Sequence, residues 1–153
     1  MSTKKAYKIF LYGTTEKTLQ LLKENLLKKF PKLKIVLTEP SKFRELTNDE
    51  WIKLVEKIKT TKPDIIFIGL GSPLQEIFSY RLDQWLKKEN QRKIIIPVGA
   101  AFDFISGIKK QAPKWMGEWG LEWLWRLINE PRLIKRYFIY GLLFLIDFNK
   151  TKK

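Results

Sequence analysis

Two short stretches carry residue types that can hold and transfer a chemical group. In "GLGSPLQE" (69–76) Gly69 and Gly71 permit close backbone approach, and Ser72 and Pro73 open a helix. The free N–H groups and dipole of such a helix start favour phosphate. Gln75 and Glu76 sit in that first turn, within reach of a ligand. The competing reading is a glycine-assisted turn with an ordinary cap. In "VGAAFDFISG" (98–107) Asp103 follows Gly99 by one turn. It is placed to accept from a ribose, base or sugar, or to act as a general base. A helix-capping aspartate is the alternative. Neither the GxGxxG fingerprint nor the P-loop pattern is present, and no DxD pair offers the usual sign of a metal between a nucleotide diphosphate and two carboxylates.

A third stretch, "APKWMGEWGLEWLWRLINEPRLIKRYF" (112–138), joins tryptophans to a basic run. Trp115, Trp119 and Trp123 recur at spacing four and are expected to share one helical face, with Arg126 near its continuation. Leu121, Leu124, Trp125 and Ile128 form a second apolar face. Arg126, Arg132, Lys135 and Arg136 follow at near-helical spacing beside Tyr137 and Phe138. Arginines grip phosphates bidentately, and aromatics beside a short apolar run suit a headgroup boundary. Core packing, a solvated basic face and stacking on single-stranded nucleic acid are the other readings. No RNP, KH or helix-turn-helix pattern supports the last.

The chemistry is narrowed by what is missing. With no cysteine and no histidine in 153 residues, thiol nucleophiles, imidazole catalysis and zinc sites with Cys or His ligands are excluded. Carboxylates, lysines, tyrosines and electrostatics remain. A formal net charge of +14 favours an anionic partner: nucleic acid, anionic lipid or a phosphorylated small molecule. The opening "MSTKKAYKIFLYG" does not resemble a secretory signal, so a cytosolic location is expected. "YFIYGLLFLI" (137–146) is about half of the roughly 20 residues a spanning helix needs.

The elements that must position these residues alternate. "AYKIFLYG" reads as a buried strand, and "TEKTLQLLKENLLKKF" as a helix with Leu19, Leu22, Leu26 and Leu27 on one stripe, capped by Thr14 or Thr15. "LKIVLT" is a second strand. "TNDEWIKLVEKIKTTKP" is a second helix with Trp51, Leu54, Val55 and Ile58 inward, a capping box from Thr47 to Glu50, and Pro63 at its exit. "DIIFIGLG", a helix over "SPLQEIFSYRLDQWLKK" with Pro73 in its first turn, and "KIIIPVG" complete the cycle. The expected fold is α/β: a Rossmann-like open parallel sheet of about four strands with flanking helices. The body covers 1–106, and 107–153 forms an aromatic, basic helical appendage within one domain. In such sheets ligands bind beyond the carboxyl ends of the strands, which singles out the turns at Gly13, Gly71 and Gly99.

With these residues laid out, the chain resembles the WecG/TagA/CpsF family of bacterial glycosyltransferases. The resemblance rests on "PDIIFIGLGSPLQE", on "VGAAFDFISGIKKQAPKWMGEWGLEWLWRLINEPRLIKRY" and more weakly on "IFLYGTTEKTLQLLKENLLKKFPKLKIV". It implies transfer of an N-acetylmannosamine-type or related sugar from a UDP-sugar, with inversion and without a metal or other cofactor. The acceptor is an undecaprenyl-diphosphate-linked sugar at the cytoplasmic membrane face, in teichoic acid, common-antigen or capsule synthesis. By position Gly71, Ser72, Pro73, Gln75, Glu76 and Asp103 match the family's nucleotide-sugar pocket, joined here by Gly13 and Gly99. Arg126, Arg132 and Arg136 match candidate diphosphate contacts on a C-terminal lid. Trp115, Trp119, Trp123, Tyr137 and Phe138 are then the expected contacts to an anionic membrane, and nucleic acid becomes the least favoured partner. Family members also carry an upstream segment with an Asn-Asp-Gly-like motif whose aspartate is the proposed base. This sequence begins after that point, so the expectation is a shortened protein or a split enzyme with a partner chain, with Asp103 as the nominated substitute base. "TEPSKF" (38–43) stands where the family has a glycine-aromatic turn.

Overall fold

The computed structural model of the protein describes residues 7–129, which fall in two compact units divided between Lys110 and Gln111. In the first, β1 (Lys8–Gly13), α1 (Glu16–Lys29), β2 (Lys34–Glu39), α2 (Asn48–Thr61), β3 (Ile65–Gly69), α3 (Leu74–Lys88), β4 (Ile94–Pro97) and α4 (Ala101–Ile105) follow one another. The four strands form a parallel sheet in the order β2-β1-β3-β4. The expected α/β fold is therefore present.

Strand order and crossover handedness together decide which face each helix covers. The step from β1 to β2 runs one way along the sheet, and the later steps run the other way. Right-handed crossovers then put α1 on one face and α2 and α3 on the opposite one. The core divides accordingly. Ile9 and Leu11 of β1 pack with Leu19 and Leu22 of α1 and with Phe102 of α4. Phe10 and Tyr12, the alternate residues, pack with Trp51, Leu54, Val55 and Ile58 of α2 and Leu82 and Leu86 of α3. β1 is thus buried on both sides, which explains its unbroken apolar run.

β2 contains an irregularity with a clear consequence. Ile9 pairs with Ile35 but Phe10 pairs with Leu37, so Val36 is an extra residue. Two residues apart on a regular strand, Ile35 and Leu37 would share a face. The bulge resets the alternation, and Ile35 joins the α1-side core while Leu37 joins the α2 side.

The helix boundaries follow the expected signals. Thr15 caps α1 by accepting from the Thr18 N–H at 3.2 Å. Thr47 and Glu50 form the capping box of α2, with the Thr47 N–H donating to Glu50 at 2.9 Å, and Lys62 in the left-handed region ends that helix before Pro63. Pro73 occupies the position just before α3 rather than its first turn.

In the second unit, the stretch on which three tryptophans were expected to share one helical face forms two helices, α5 (Lys114–Glu118) and α6 (Glu122–Asn129). Gly120 takes φ 68°, and the Leu121 N–H donates back to the Met116 carbonyl at 2.7 Å. That is the bond of a glycine-terminated helix end. Trp115, Trp119 and Trp123 therefore do not share one continuous helical face. All three are nonetheless exposed, Trp119 to 77%.

Candidate functional site

The sheet order brings the carboxyl ends of β1 and β3 side by side, and their following connections leave for opposite faces. This is the topological switch point at which open parallel sheets bind ligands. Gly13 and Gly69 are register partners there. Gly13 has φ 123°, and a Cβ added to it would lie 2.7 Å from the Gly69 carbonyl carbon. A Cβ on Gly69 would in turn meet the Phe102 ring, with Cγ at 2.8 Å. Two glycines and one phenylalanine so form a floor of backbone and ring with no room for further side chains. Sequence reasoning picked out Gly13 and Gly69 as turn residues but missed Phe102. Its signal was the apolar residue beside Asp103 in the helix that follows β4.

From β3 the chain passes through Gly71 (φ 78°) and the cis Ser72–Pro73 peptide into α3. Open space surrounds a Cβ at Gly71, so its glycine answers a conformational need and not a steric one. The Gly71 carbonyl accepts from the Gln75 N–H at 2.9 Å, which begins the helix. No side chain caps α3. Of its first N–H groups, that of Gln75 goes to the Gly71 carbonyl and that of Ile77 to the Pro73 carbonyl at 3.3 Å, so this helix start acts on an anion chiefly through its dipole.

Gln75 is the most telling of the expected residues. It is only 9% exposed, and its Nε2 donates to Glu76 Oε1 at 3.0 Å. That bond fixes the amide orientation, since only the NH2 end can donate to a carboxylate. Oε1 is left buried without a hydrogen-bond partner. A buried acceptor of this kind costs about 1–3 kcal/mol if it stays unsatisfied. Gly99, with φ 54°, makes room for it: a Cβ there would stand 3.3 Å from Oε1. The turns after β3 and β4 thus meet at the Gln75 amide. The Gln75 amide, Glu76's own backbone N–H and the Ser72 side chain hold the Glu76 carboxyl below its usual range, in that order of effect.

Asp103 lies in the first turn of α4, which has no side-chain cap. Its carboxylate is paired with Lys109 Nζ at 3.0 Å, both side chains 27% exposed. Asp103 is thus an ion-paired residue here, not a helix cap.

Of the remaining expected residues, Arg126 falls within α6. Arg132, Arg136, Tyr137 and Phe138 lie outside the described residues. Among the described residues, no helix is long and apolar enough to cross a membrane, and no group of three or more carboxylates is gathered to hold a metal ion.

One group on the α2 side escaped sequence reasoning. Tyr12, at the end of β1, is 3% exposed and stacks on Phe78 at 4.2 Å between ring centroids. Burial, followed by the charges of Glu39 and Glu50, pushes its phenol above the ordinary range, so it stays neutral. Glu39 is its register partner on β2 and is paired with Lys57 at 2.7 Å.

Comparison with known proteins adds the following. A family model described as the glycosyl transferase WecG/TagA/CpsF family matches residues 1–153. An N-acetylglucosaminyldiphosphoundecaprenol N-acetyl-beta-D-mannosaminyltransferase from Bacillus subtilis (strain 168) is 31% identical over 136 residues, covering 89% of this chain and 50% of that protein. A protein of the same name from Staphylococcus aureus (strain MW2) is 29% identical over 132 residues, covering 84% of this chain and 47% of the relative. The chain spans about half the length of these curated relatives.

Proposed function

Because this chain belongs to the WecG/TagA/CpsF glycosyl transferase family, we propose that it forms the donor-binding part of a UDP-sugar-dependent hexosyltransferase. In this reading the transferred sugar is of the N-acetylmannosamine type and the acceptor is an N-acetylglucosaminyl diphospholipid, as the relatives' names describe for those proteins. The product belongs to cell-surface polymer synthesis. The observation that carries the proposal is the unpartnered Gln75 Oε1, buried where the turns after β3 and β4 meet. A donor N–H from a bound nucleotide sugar would satisfy it.

The neighbouring groups have matching roles. The positive dipole end of α3 favours the negative charge of the diphosphate, with Gly71, Ser72 and Pro73 shaping the approach. Gly13 and Gly69 keep the floor free of side chains, and Gly99 makes room for the Gln75 amide. Glu76 and Asp103 offer acceptors for sugar or ribose hydroxyls. Arg126, Arg132 and Arg136 form the clamp that stabilises charge developing on the leaving UDP. The exposed Trp115, Trp119 and Trp123 rest at the headgroup boundary on the inner face of the membrane, with Tyr137 and Phe138 extending the contact.

A second reading is favoured by the Asp103–Lys109 ion pair, which engages the nominated base. In it the chain is a donor-binding subunit that does not itself carry out the transfer. Hydrogen exchange with UDP, followed by a turnover assay with a UDP-sugar and the diphospholipid acceptor, separates the two. Protection of 69–76 and 98–103 with turnover supports the enzyme, and protection without turnover supports the subunit. Absence of UDP binding at millimolar concentration removes both.

A further inference from the structure

A cavity of about 700 Å3 opens beside the carboxyl end of β2, away from the glycine floor. Tyr12, Leu37 and Leu54 give it an apolar base, while Glu39, Lys53 and Lys57 supply charge. Its volume lies within the roughly 300–1,000 Å3 of small-molecule sites.

The cavity adjoins the candidate donor end in two ways. Tyr12 directly precedes Gly13, and the Ser41 N–H donates to the Thr14 carbonyl at 3.0 Å. That bond stitches the loop after β2 to the turn after β1. A bidentate Arg44 grip on Glu50, at 2.7 and 2.8 Å, fixes the far rim of that loop. Glu50 also accepts from the Thr47 N–H, so its oxygens are committed to structure. Glu39 differs. Lys57 holds its Oε2 at 2.7 Å, which orients the carboxylate at the cavity wall with Oε1 left to accept.

The chemistry of the lining selects among ligands. Three lysines (42, 53 and 57) are matched by three glutamates (39, 50 and 56), so a diphosphate would meet as much repulsion as attraction. A neutral amino sugar fits better. Its hydroxyls donate to a carboxylate and accept from ammonium groups, while ring C–H bonds and an acetamido methyl lie on Leu37, Leu54 and the Tyr12 ring.

We propose that this cavity is the subsite for the N-acetylhexosamine of the acceptor, with Glu39 and Lys57 contacting its hydroxyls. The inference rests on the glycosyltransferase reading above and adds a position for the second substrate. The donor occupies the β1/β3 switch point, and the acceptor sugar lies across Tyr12 from it.

The test uses the full chain and a short-prenyl diphosphate N-acetylglucosamine, followed by saturation-transfer NMR and titration, with UDP affinity measured in parallel. Glu39→Gln removes the charge that receives hydroxyls. Lys53→Trp, at an exposed helix position, fills the cavity without touching the core. Each is expected to weaken the acceptor analogue at least about tenfold, Glu39→Gln through loss of a charged hydrogen bond and Lys53→Trp through occlusion, while leaving UDP affinity unchanged. Should Glu39→Gln fail to fold, as circular dichroism would reveal, Lys53→Trp alone decides. Equal binding by variant and parent overturns the subsite, as does absence of saturation transfer to the parent at millimolar analogue. Loss of UDP binding by the parent is a separate result that overturns the donor reading.

Discussion

Gly13 and Gly69 face each other at the carboxyl ends of β1 and β3, so close that a Cβ on Gly13 would lie 2.7 Å from the Gly69 carbonyl carbon. The neighbour is backbone, which cannot rotate away. Gly13→Ala is expected to cost about 1–3 kcal/mol, the scale of overpacking, and the positive φ adds strain. Gly69→Ala acts differently, by pushing the Phe102 ring. Thermal melts of both variants check this, and a Gly13→Ala protein as stable as the parent would show that the strands can part at no cost.

Gln75→Leu separates stability from binding. It removes a buried acceptor that has no partner, so the melting temperature is expected to hold or rise. UDP-sugar affinity is expected to fall about tenfold through loss of one hydrogen bond. Isothermal titration with a matched melt reads both quantities. Unchanged affinity would detach Gln75 from the donor site.

Thr47→Ala removes the capping bond of α2 and should cost about 1 kcal/mol. The same box gives an acid limb. Arg44 and the Thr47 N–H lower the Glu50 carboxyl from the ordinary 4.5 to about 2. A depressed carboxylate contributes stability above its unfolded pKa and loses it as pH falls through the folded value. The window is therefore pH 4.5 down to about 2, and Glu50→Gln should flatten the stability curve there. Chemical denaturation at several pH values checks it, and an unchanged acid limb would count against the pairing.

Exposure of Trp115, Trp119 and Trp123 beside a net charge of +14 sets the expectation for lipid. Co-sedimentation with phosphatidylglycerol vesicles should decrease with salt and drop further in Trp119→Ala, the most exposed of the three. Retention by neutral vesicles alone, or no effect of Trp119→Ala, would remove the membrane role from these residues.

Much of the fold was legible in the sequence because its signals are local. The capping box of α2, the glycine that ends β1 and the inward stripe Trp51, Leu54, Val55 and Ile58 each depend on a few neighbouring residues. The glycine that ends α5 was equally local but was overridden by the spacing of three tryptophans, and a helix end outweighed periodicity.

Within the candidate site, the sequence by itself singled out three turns as candidates: Gly13, Gly71 to Glu76, and Gly99 to Asp103. It also excluded thiol and imidazole catalysis by composition. Only the tertiary structure decided that the ends of β1 and β3 adjoin, that Phe102 seals them, and that Gln75 Oε1 is buried without a partner. The Val36 bulge and the Tyr12–Glu39 register were likewise invisible beforehand. Strand order and register are set by long-range pairing and by crossover handedness, whereas propensity and spacing act over a few residues. A residue's role in a site made from several turns is fixed only when those turns meet.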